Sequence, residues 1–349
     1  MTRSLIRVPE LVRMKSGALG RLGLYLARPG FRRVAVFQSA GLLAGIVEAA
    51  LSSFGAHGVE IVQRQEANEA SVEEAVRLLG ALPGGTQAVV GLGGGKALDV
   101  AKYVASLAGL PCFAAPTSLS NDGFCSPQSS LTLQGRRKSL PCALPYAVVV
   151  DLDVCLQAPL PLWHSGVGDL AAKFTAVADW KLAFHARGTP VNDLAALMSD
   201  ATVYQFMARP ERDREGVQLL ATALMLNGVA MEIAGSSRPA SGSEHLISHA
   251  LDMMGARPRL HGLQTGTAAY LVSRLQGGTH HARIAALLKQ TGFWESVRAA
   301  PFSREQWRLA IQRARDVKAD FHTILSERDG AAEIDAAIEQ DPTLAGCFD

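Results

Sequence analysis

Several things are scarce or missing from this 349-residue chain, and each absence removes a class of function. No long Lys/Arg block stands out and the formal charge is only +2, which argues against a nucleic-acid or membrane-surface binder. The five cysteines (Cys112, Cys125, Cys142, Cys155, Cys347) are odd in number, scattered, and never spaced CxxC. Neither a disulfide framework nor a cysteine zinc site is therefore expected, and reduced, cytoplasmic thiols are the default. The opening stretch "MTRSLIRVPELVRMK" has charges throughout and no apolar core, unlike a signal peptide. The most apolar long run, "VQLLATALMLNGVAMEIAG", is interrupted by Gln218, Asn227 and Glu232, so a buried core helix is expected there instead of a membrane span. Internal repeats, low-complexity segments and an obvious linker are also missing. What remains is a globular composition, 48% hydrophobic and 19% charged, long enough for two domains with sizeable cores.

The pattern changes near residue 155. Before it, short apolar runs alternate with helical stretches. "RRVAVFQSAG" reads as a strand, "GLLAGIVEAALSSFGAHG" as a helix with a glycine stop, and "VEIVQRQ" as a second strand. "SVEEAVRLLGAL" opens with Ser71 and carries Glu74 three residues on, the signature of a capping box. "QAVVGLGGGKALDVAKYVAS" is strand, glycine turn and helix, and "CFAAPTSLS" and "YAVVVDLDV" add strands. "GRRKS", between apolar runs, reads as a hairpin turn. This alternation predicts a parallel α/β sheet over 1–155. From "GVGDLAAKFTAVADWKLAFH" onward the texture is helical, which predicts an all-helical domain over 156–349. An active site in the cleft between two such domains is the natural expectation.

Two groups of residues carry chemistry. Gly91, Gly93, Gly94 and Gly95 follow a strand and precede a helix, where backbone N–H groups and the dipole end can meet a pyrophosphate. The spaced GxGxxG pattern and the GKS/T ending of a P-loop are both missing, so a tight structural turn fits equally well. The strand "VAVFQSA" ends in the neutral Gln38 and Ser39, and nothing there excludes NADPH. The second group is Asp169, expected at the start of a helix, with His245, His249 and His261. His245 and His249 share a helical face at i and i+4, and His261 follows Pro258 and so belongs to the next element after a turn. A carboxylate and two imidazoles suit a divalent cation. Spacing alone leaves a helix cap and core histidines equally open, because Glu244 precedes His245 and the HExxH form is missing.

Five segments in this order, "GLGGGKALDVAKY", "PTSLSNDGFCSP", "GVGDLAAKFTAVADWKL", "RPASGSEHLISH" and "HGLQTG", together closely resemble the sn-glycerol-1-phosphate dehydrogenases. That family belongs with glycerol dehydrogenase, iron-type alcohol dehydrogenases and 3-dehydroquinate synthase. The resemblance runs from about residue 30 to 275; Asn121 is one departure, since many relatives have an apolar residue there. It implies that Asp169, His245 and His261 bind a divalent metal, zinc first and nickel or iron as alternatives. It implies substrate contact for Asp122, Asp169 and His249, with Asp122 and His249 as catalytic candidates. Gly93, Gly94, Gly95, Lys96, Asp99, Thr117, Ser118, Ser120 and Ser126 would bind NAD(P). The implied reaction is reversible reduction of dihydroxyacetone phosphate to sn-glycerol 1-phosphate, within phospholipid biosynthesis, by a cytoplasmic enzyme with no nucleic-acid partner, for which a homo-oligomer is one expectation. The alternatives are another polyol or phosphorylated ketone, a sugar-phosphate cyclase or lyase of the dehydroquinate-synthase type, and a silent nucleotide-binding homologue. Arg238 could meet a substrate phosphate or form a structural ion pair; His164 and His185 read as bland.

Overall fold

The computed structural model describes residues 6–254 and 259–349. The chain forms two compact units, Met1–Ala158 with Asp213–Ala221, and Pro159–Arg212 with Thr222–Asp349.

The first unit is built on a six-stranded sheet of strands β1 (Leu11–Lys15), β2 (Arg33–Ser39), β3 (Glu60–Ala67), β4 (Ala88–Gly93), β5 (Cys112–Pro116) and β8 (Ala147–Asp151), in the order β1-β8-β5-β4-β2-β3. Every pairing is parallel. Strands β4, β5 and β8 are buried at every residue, which is why they read as unbroken apolar runs: a parallel sheet is covered on both faces. Alternate side chains feed two cores. Val34, Val36, Val90 and Leu92 pack on one face with the helices Leu22–Ala27 and Ala44–Ala56. Ala35, Phe37 and Val89 pack on the other with Val72–Gly80 and Gly95–Ala108. Ser71 caps the third of these helices by accepting from Glu74 N at 3.2 Å. The Glu74 carboxylate pairs with Arg77, so that bond is one half of a capping box.

Strand β1 was not expected from the sequence. It has five residues, two of them cations, and gains its place only by pairing along β8. Strands β6 (Gln128–Leu133) and β7 (Arg136–Pro141) form the antiparallel hairpin anticipated at "GRRKS". Its turn sits at Gln134 and Gly135, both with positive φ, so Arg136 to Ser139 belong to the strand. From β2 the chain adds β3 on one side, then crosses back to place β4 on the other. In parallel sheets this reversal opens a crevice beyond the carboxyl ends of the two diverging strands, here Ser39 and Gly93.

The second unit is helical. Its longest helix, Leu160–Arg187, starts at Pro159 and ends at a left-handed Gly188. Asp169 therefore lies well inside this helix and does not cap its start, a correction to the sequence expectation. The misreading has a cause: Gly166 and Gly168 look like helix breakers. Helices Asp193–Met207, Ser243–Met254 and His261–Gln276 follow, and Arg214–Ala234 belongs to the first unit up to Ala221 and to the second from Thr222. Among the described residues, Arg214–Ala234 is the one helix long and apolar enough to cross a membrane, and 56% of its most apolar window is buried within the protein. Its Asn227 is fully buried and bonded to Ser199, Thr202 and the Ala223 carbonyl, as in a core helix. His261 opens its helix directly after Leu260; the turn expected at Pro258 lies outside the described residues.

Candidate active site

Two glycines bring the second unit's site together. An added Cβ at Gly168 would stand 2.1 Å from the Gly262 carbonyl oxygen, and one at Gly262 only 1.7 Å from the Ser165 carbonyl oxygen. Helices Leu160–Arg187 and His261–Gln276 thus touch backbone to backbone, and Ser165 Oγ accepts from Gly262 N at 3.1 Å. Each glycine adjoins a polar residue of interest, Asp169 and His261, so the contact sets those two side chains beside each other. His245, on Ser243–Met254, completes the group. One ligand atom from each of Asp169, His245 and His261 lies within 4.8 Å of the others. His245 Nε2 is 3.5 Å and His261 Nε2 4.0 Å from Asp169 Oδ1.

The hydrogen bonds behind the rings determine which nitrogen faces the carboxylate. His245 Nδ1 is 2.8 Å from Glu244 Oε1, an acceptor-only carboxylate, so Nδ1 carries the proton. Ser248 Oγ donates to Gln264 Oε1 at 2.7 Å and therefore accepts from His261 Nδ1 at 3.0 Å. In the neutral form each imidazole then offers its Nε2 lone pair on the side that faces Asp169. One carboxylate and two such lone pairs are the donor set of a divalent-cation site, with partners behind each imidazole as such sites require. Residues and group fit.

The surrounding charges were not read from the sequence. Lys173, fully buried, donates to Asp169 Oδ1 at 3.2 Å and to the Ala240 carbonyl at 3.3 Å. Burial alone would raise the Asp169 pKa, but the Lys173 ammonium and His245 overturn that and hold it well below the usual carboxylate range. Burial lowers the His245 pKa, while Asp169 and Glu244 raise it, and the net direction is upward. Glu244 is also fully buried and accepts from Gly242 N at 2.6 Å and Thr175 Oγ1 at 2.9 Å. A visible clue existed for Lys173, since D-x-x-x-K at i,i+4 places the two on one helical face. His249 is half-buried on the His245 helix, its ring centroid 6.4 Å from that of His245 and 6.0 Å from that of His261.

In the first unit the glycine loop is held by the ends of three strands. Gly93 has φ +135, and an added Cβ would lie 2.3 Å from Ser39 Oγ, which itself accepts from Gly94 N at 3.0 Å. Thr117 N donates to the Gly93 carbonyl at 3.0 Å, tying the end of β5 to the loop. Gly95 begins the helix Gly95–Ala108, and Lys96 is exposed at its start. Ser118 and Ser120 are half-buried beyond Thr117, and Asp122 opens the helical turn Asp122–Cys125, preceded by Asn121, whose side chain accepts from Gly123 N. Asp99 and Ser126 face inward instead. The buried Lys102 lies 3.5 Å from Asp99 Oδ1 and donates to the Ser126 carbonyl and hydroxyl, both at 3.2 Å. Lys102 therefore fastens the Ser126 loop to the glycine-loop helix. His164 bonds Ser296 and the Thr291 carbonyl inside the core, and His185 is exposed.

Residues 13–159 match the family described as iron-containing alcohol dehydrogenase. The chain is 38% identical over 268 residues to the glycerol-1-phosphate dehydrogenase [NAD(P)+] of Hyperthermus butylicus, covering 75% of this chain and 76% of that protein. It is 37% identical over 327 residues to the protein of the same name from Thermofilum pendens, covering 91% and 92%. The fold is also that of a probable glycerol dehydrogenase from Sinorhizobium meliloti 1021, with a TM-score of 0.76 at 20% identity over 96% of this chain and 99% of that one.

Proposed function

The chain belongs to the glycerol-1-phosphate dehydrogenase family, and on that premise we propose that it reduces dihydroxyacetone phosphate reversibly to sn-glycerol 1-phosphate with NADH or NADPH. The observation that carries the reading is the convergence of Asp169, His245 and His261, with both Nε2 atoms turned to one carboxylate. These three residues would hold a divalent cation, zinc first, with nickel or iron as alternatives. When bound, that cation supplies Lewis-acid polarisation of a carbonyl, and the nicotinamide supplies the hydride.

The chain's own residues do the rest. Glu244 and Ser248 hold the two imidazoles by Nδ1, in the orientation that turns Nε2 toward Asp169. Lys173 offsets the charge of Asp169, which lets a carboxylate stay ionised without water around it. His249 and Asp122 orient the substrate and pass the proton that the alcohol product gains, directly or through water. Gly93, Gly94, Gly95 and Lys96 present backbone and charge to the pyrophosphate, with Thr117, Ser118 and Ser120 beside it. Asp99 and Ser126 act from behind that surface, where their contacts with Lys102 hold the wall in place. In this division the domain 1–155 carries the cofactor and 156–349 the cation and substrate. Five cysteines, none joined in a disulfide among the described residues, support a reducing, cytoplasmic setting.

The decisive experiment follows NADH and NADPH oxidation with dihydroxyacetone phosphate, before and after chelation, with zinc or nickel restored. Metal-restored oxidation yielding sn-glycerol 1-phosphate is the expected outcome. Metal-loaded protein that oxidises neither cofactor would overturn the substrate assignment.

A further inference from the structure

Given the cation site proposed above, we infer that Asp179 is a positioning residue for it: one buried carboxylate holds the first residue of the His245 helix and the last residue of the His261 helix against the helix that carries Asp169. Asp179 lies on Leu160–Arg187, on the C-terminal side of Asp169, and is fully buried. Its Oδ2 accepts from Ser243 N at 2.7 Å and from Ser243 Oγ at 2.5 Å. Its Oδ1 accepts from Ile324 N at 2.9 Å and from the Gln276 amide at 3.0 Å. Ser243 opens the helix Ser243–Met254 just ahead of His245, and Gln276 closes the helix that His261 begins.

The first N–H groups of a helix have no acceptor within it, and the side chain of the preceding residue commonly supplies one. Gly242 has no side chain to do so. An added Cβ there would stand 2.8 Å from Asp179 Oδ2, 2.9 Å from Ala176 Cα and 3.0 Å from Glu244 Oε2. The acceptor for Ser243 N therefore comes from a neighbouring helix, and it brings a negative charge to the positive end of the dipole. The two bonds to Ser243 set the height and rotation of the helix on which His245 rides. Gln276 Nε2 donates to the Thr175 carbonyl at 3.0 Å as well as to Asp179, so the far end of the His261 helix is pinned to the same stretch. Its near end already touches that helix through Gly168 and Gly262. Four donors on two oxygens call for a carboxylate, because an amide offers a single acceptor atom. Burial and then the Glu244 charge push the Asp179 pKa up to about 6, and the bonds from Ser243 and Ile324 pull against that rise. At about 15 Å along the helix axis from Asp169, the group acts on the site through the helices it holds.

The test uses the full-length protein, cleared of metal by chelation and titrated with zinc or cobalt(II), in the variants Asp179→Asn, Asp179→Leu and, as a control, Asn227→Ala. Zinc affinity should fall about tenfold in Asp179→Asn, which keeps one oxygen, and about a hundredfold in Asp179→Leu, which keeps none. The visible cobalt bands should shift in both, since they report the geometry of the ligands. NADH affinity should stay at the wild-type level. Asn227→Ala empties a buried polar network elsewhere in the same unit, so it should lower the urea midpoint yet leave zinc affinity and cobalt bands unchanged. Should Asp179→Leu fail to fold, the near-isosteric Asp179→Asn decides alone. Wild-type zinc affinity and cobalt bands in Asp179→Asn would overturn the assignment. An equal zinc loss in Asn227→Ala would overturn it too, by reducing the effect to general loosening. A wild type that binds zinc but leaves dihydroxyacetone phosphate unreduced sinks the substrate reading alone, and the zinc comparison still decides for Asp179. A wild type that binds no divalent cation rejects both.

Discussion

The glycine loop of the first unit and the histidine cluster of the second solve opposite problems. At the loop, side chains are kept out: Gly93 takes a φ of +135 with Ser39 Oγ where a Cβ would be, and the backbone N–H and carbonyl groups are what is positioned. At the cluster, side chains are brought in, and Asp169, Lys173 and Glu244 are fully buried as a network of charges. The loop is built within a few residues and the strand ends flanking them. The cluster draws on three helices and depends on two of them touching at Gly168 and Gly262. A backbone site is therefore robust to side-chain change except at its glycines. A buried polar site fails when any member is removed, because the others are left unpaired in a dry interior.

The largest separation between the two comes from His261→Ala. Metal-dependent turnover should fall about a thousandfold or more, since the cation's contribution of several kcal/mol is withdrawn. Zinc analysis should show a depleted protein, while circular dichroism and NADH affinity stay at the wild-type level. Chelated wild type should also remain folded, because Lys173 already balances Asp169 without a cation. A variant with full activity and full metal content would sink the ligand assignment.

How much of this was legible in the sequence follows the same divide. The sheet was readable because buried parallel strands are continuous apolar runs, and the loop because glycines clustered between a strand and a helix mark a tight turn, whether or not that turn meets a pyrophosphate. Strand β1 was not, since "LVRMK" carries two cations and its partner β8 is remote in sequence. Asp169, His245 and His261 were visible through family resemblance; spacing alone left them ambiguous. Asp169 was misplaced to a helix start because a glycine beside it reads as a boundary, whereas Gly168 exists to admit another helix. Glu244 entered the sequence reading only as a departure from the HExxH form, because it precedes His245, yet its carboxylate reaches the rear nitrogen of His245. The stacking of Arg238 on Phe321 was not readable, because Phe321 lies far along the chain in a segment with no motif.

Glycine substitutions probe each construction at its tightest point. Gly262→Ala should cost about 3 kcal/mol, since a backbone carbonyl at 1.7 Å cannot yield without the helices parting. Metal affinity should fall with it and NADH affinity should not. Its counterpart Gly93→Ala should cost about 2 kcal/mol, from the forced φ and from displacing Ser39 Oγ. There the cofactor should weaken while zinc is retained. Urea midpoints, zinc competition and NADH titration on the two variants would check the crossover, and equal damage to both ligands in either variant would contradict it.

The smallest effect concerns Glu244→Gln, which separates charge from mere packing inside the cluster. Glutamine keeps the volume and can still accept the His245 Nδ1 proton through its carbonyl, so the tautomer survives. The negative charge behind the imidazole is lost, and the amide nitrogen takes the place of Oε2, which accepts from Thr175 Oγ1. His245 becomes a weaker donor in a less securely held position. Zinc affinity should drop about tenfold, at the mild end of what such outer partners contribute. Competition against a chromophoric chelator measures this directly and needs no turnover. NADH affinity, governed by the loop, should be untouched, and Glu244→Asp should fall between wild type and Gln only if charge is the quantity that matters. A glutamine variant with wild-type zinc affinity would mean that the carboxylate serves the helix start at Gly242 alone.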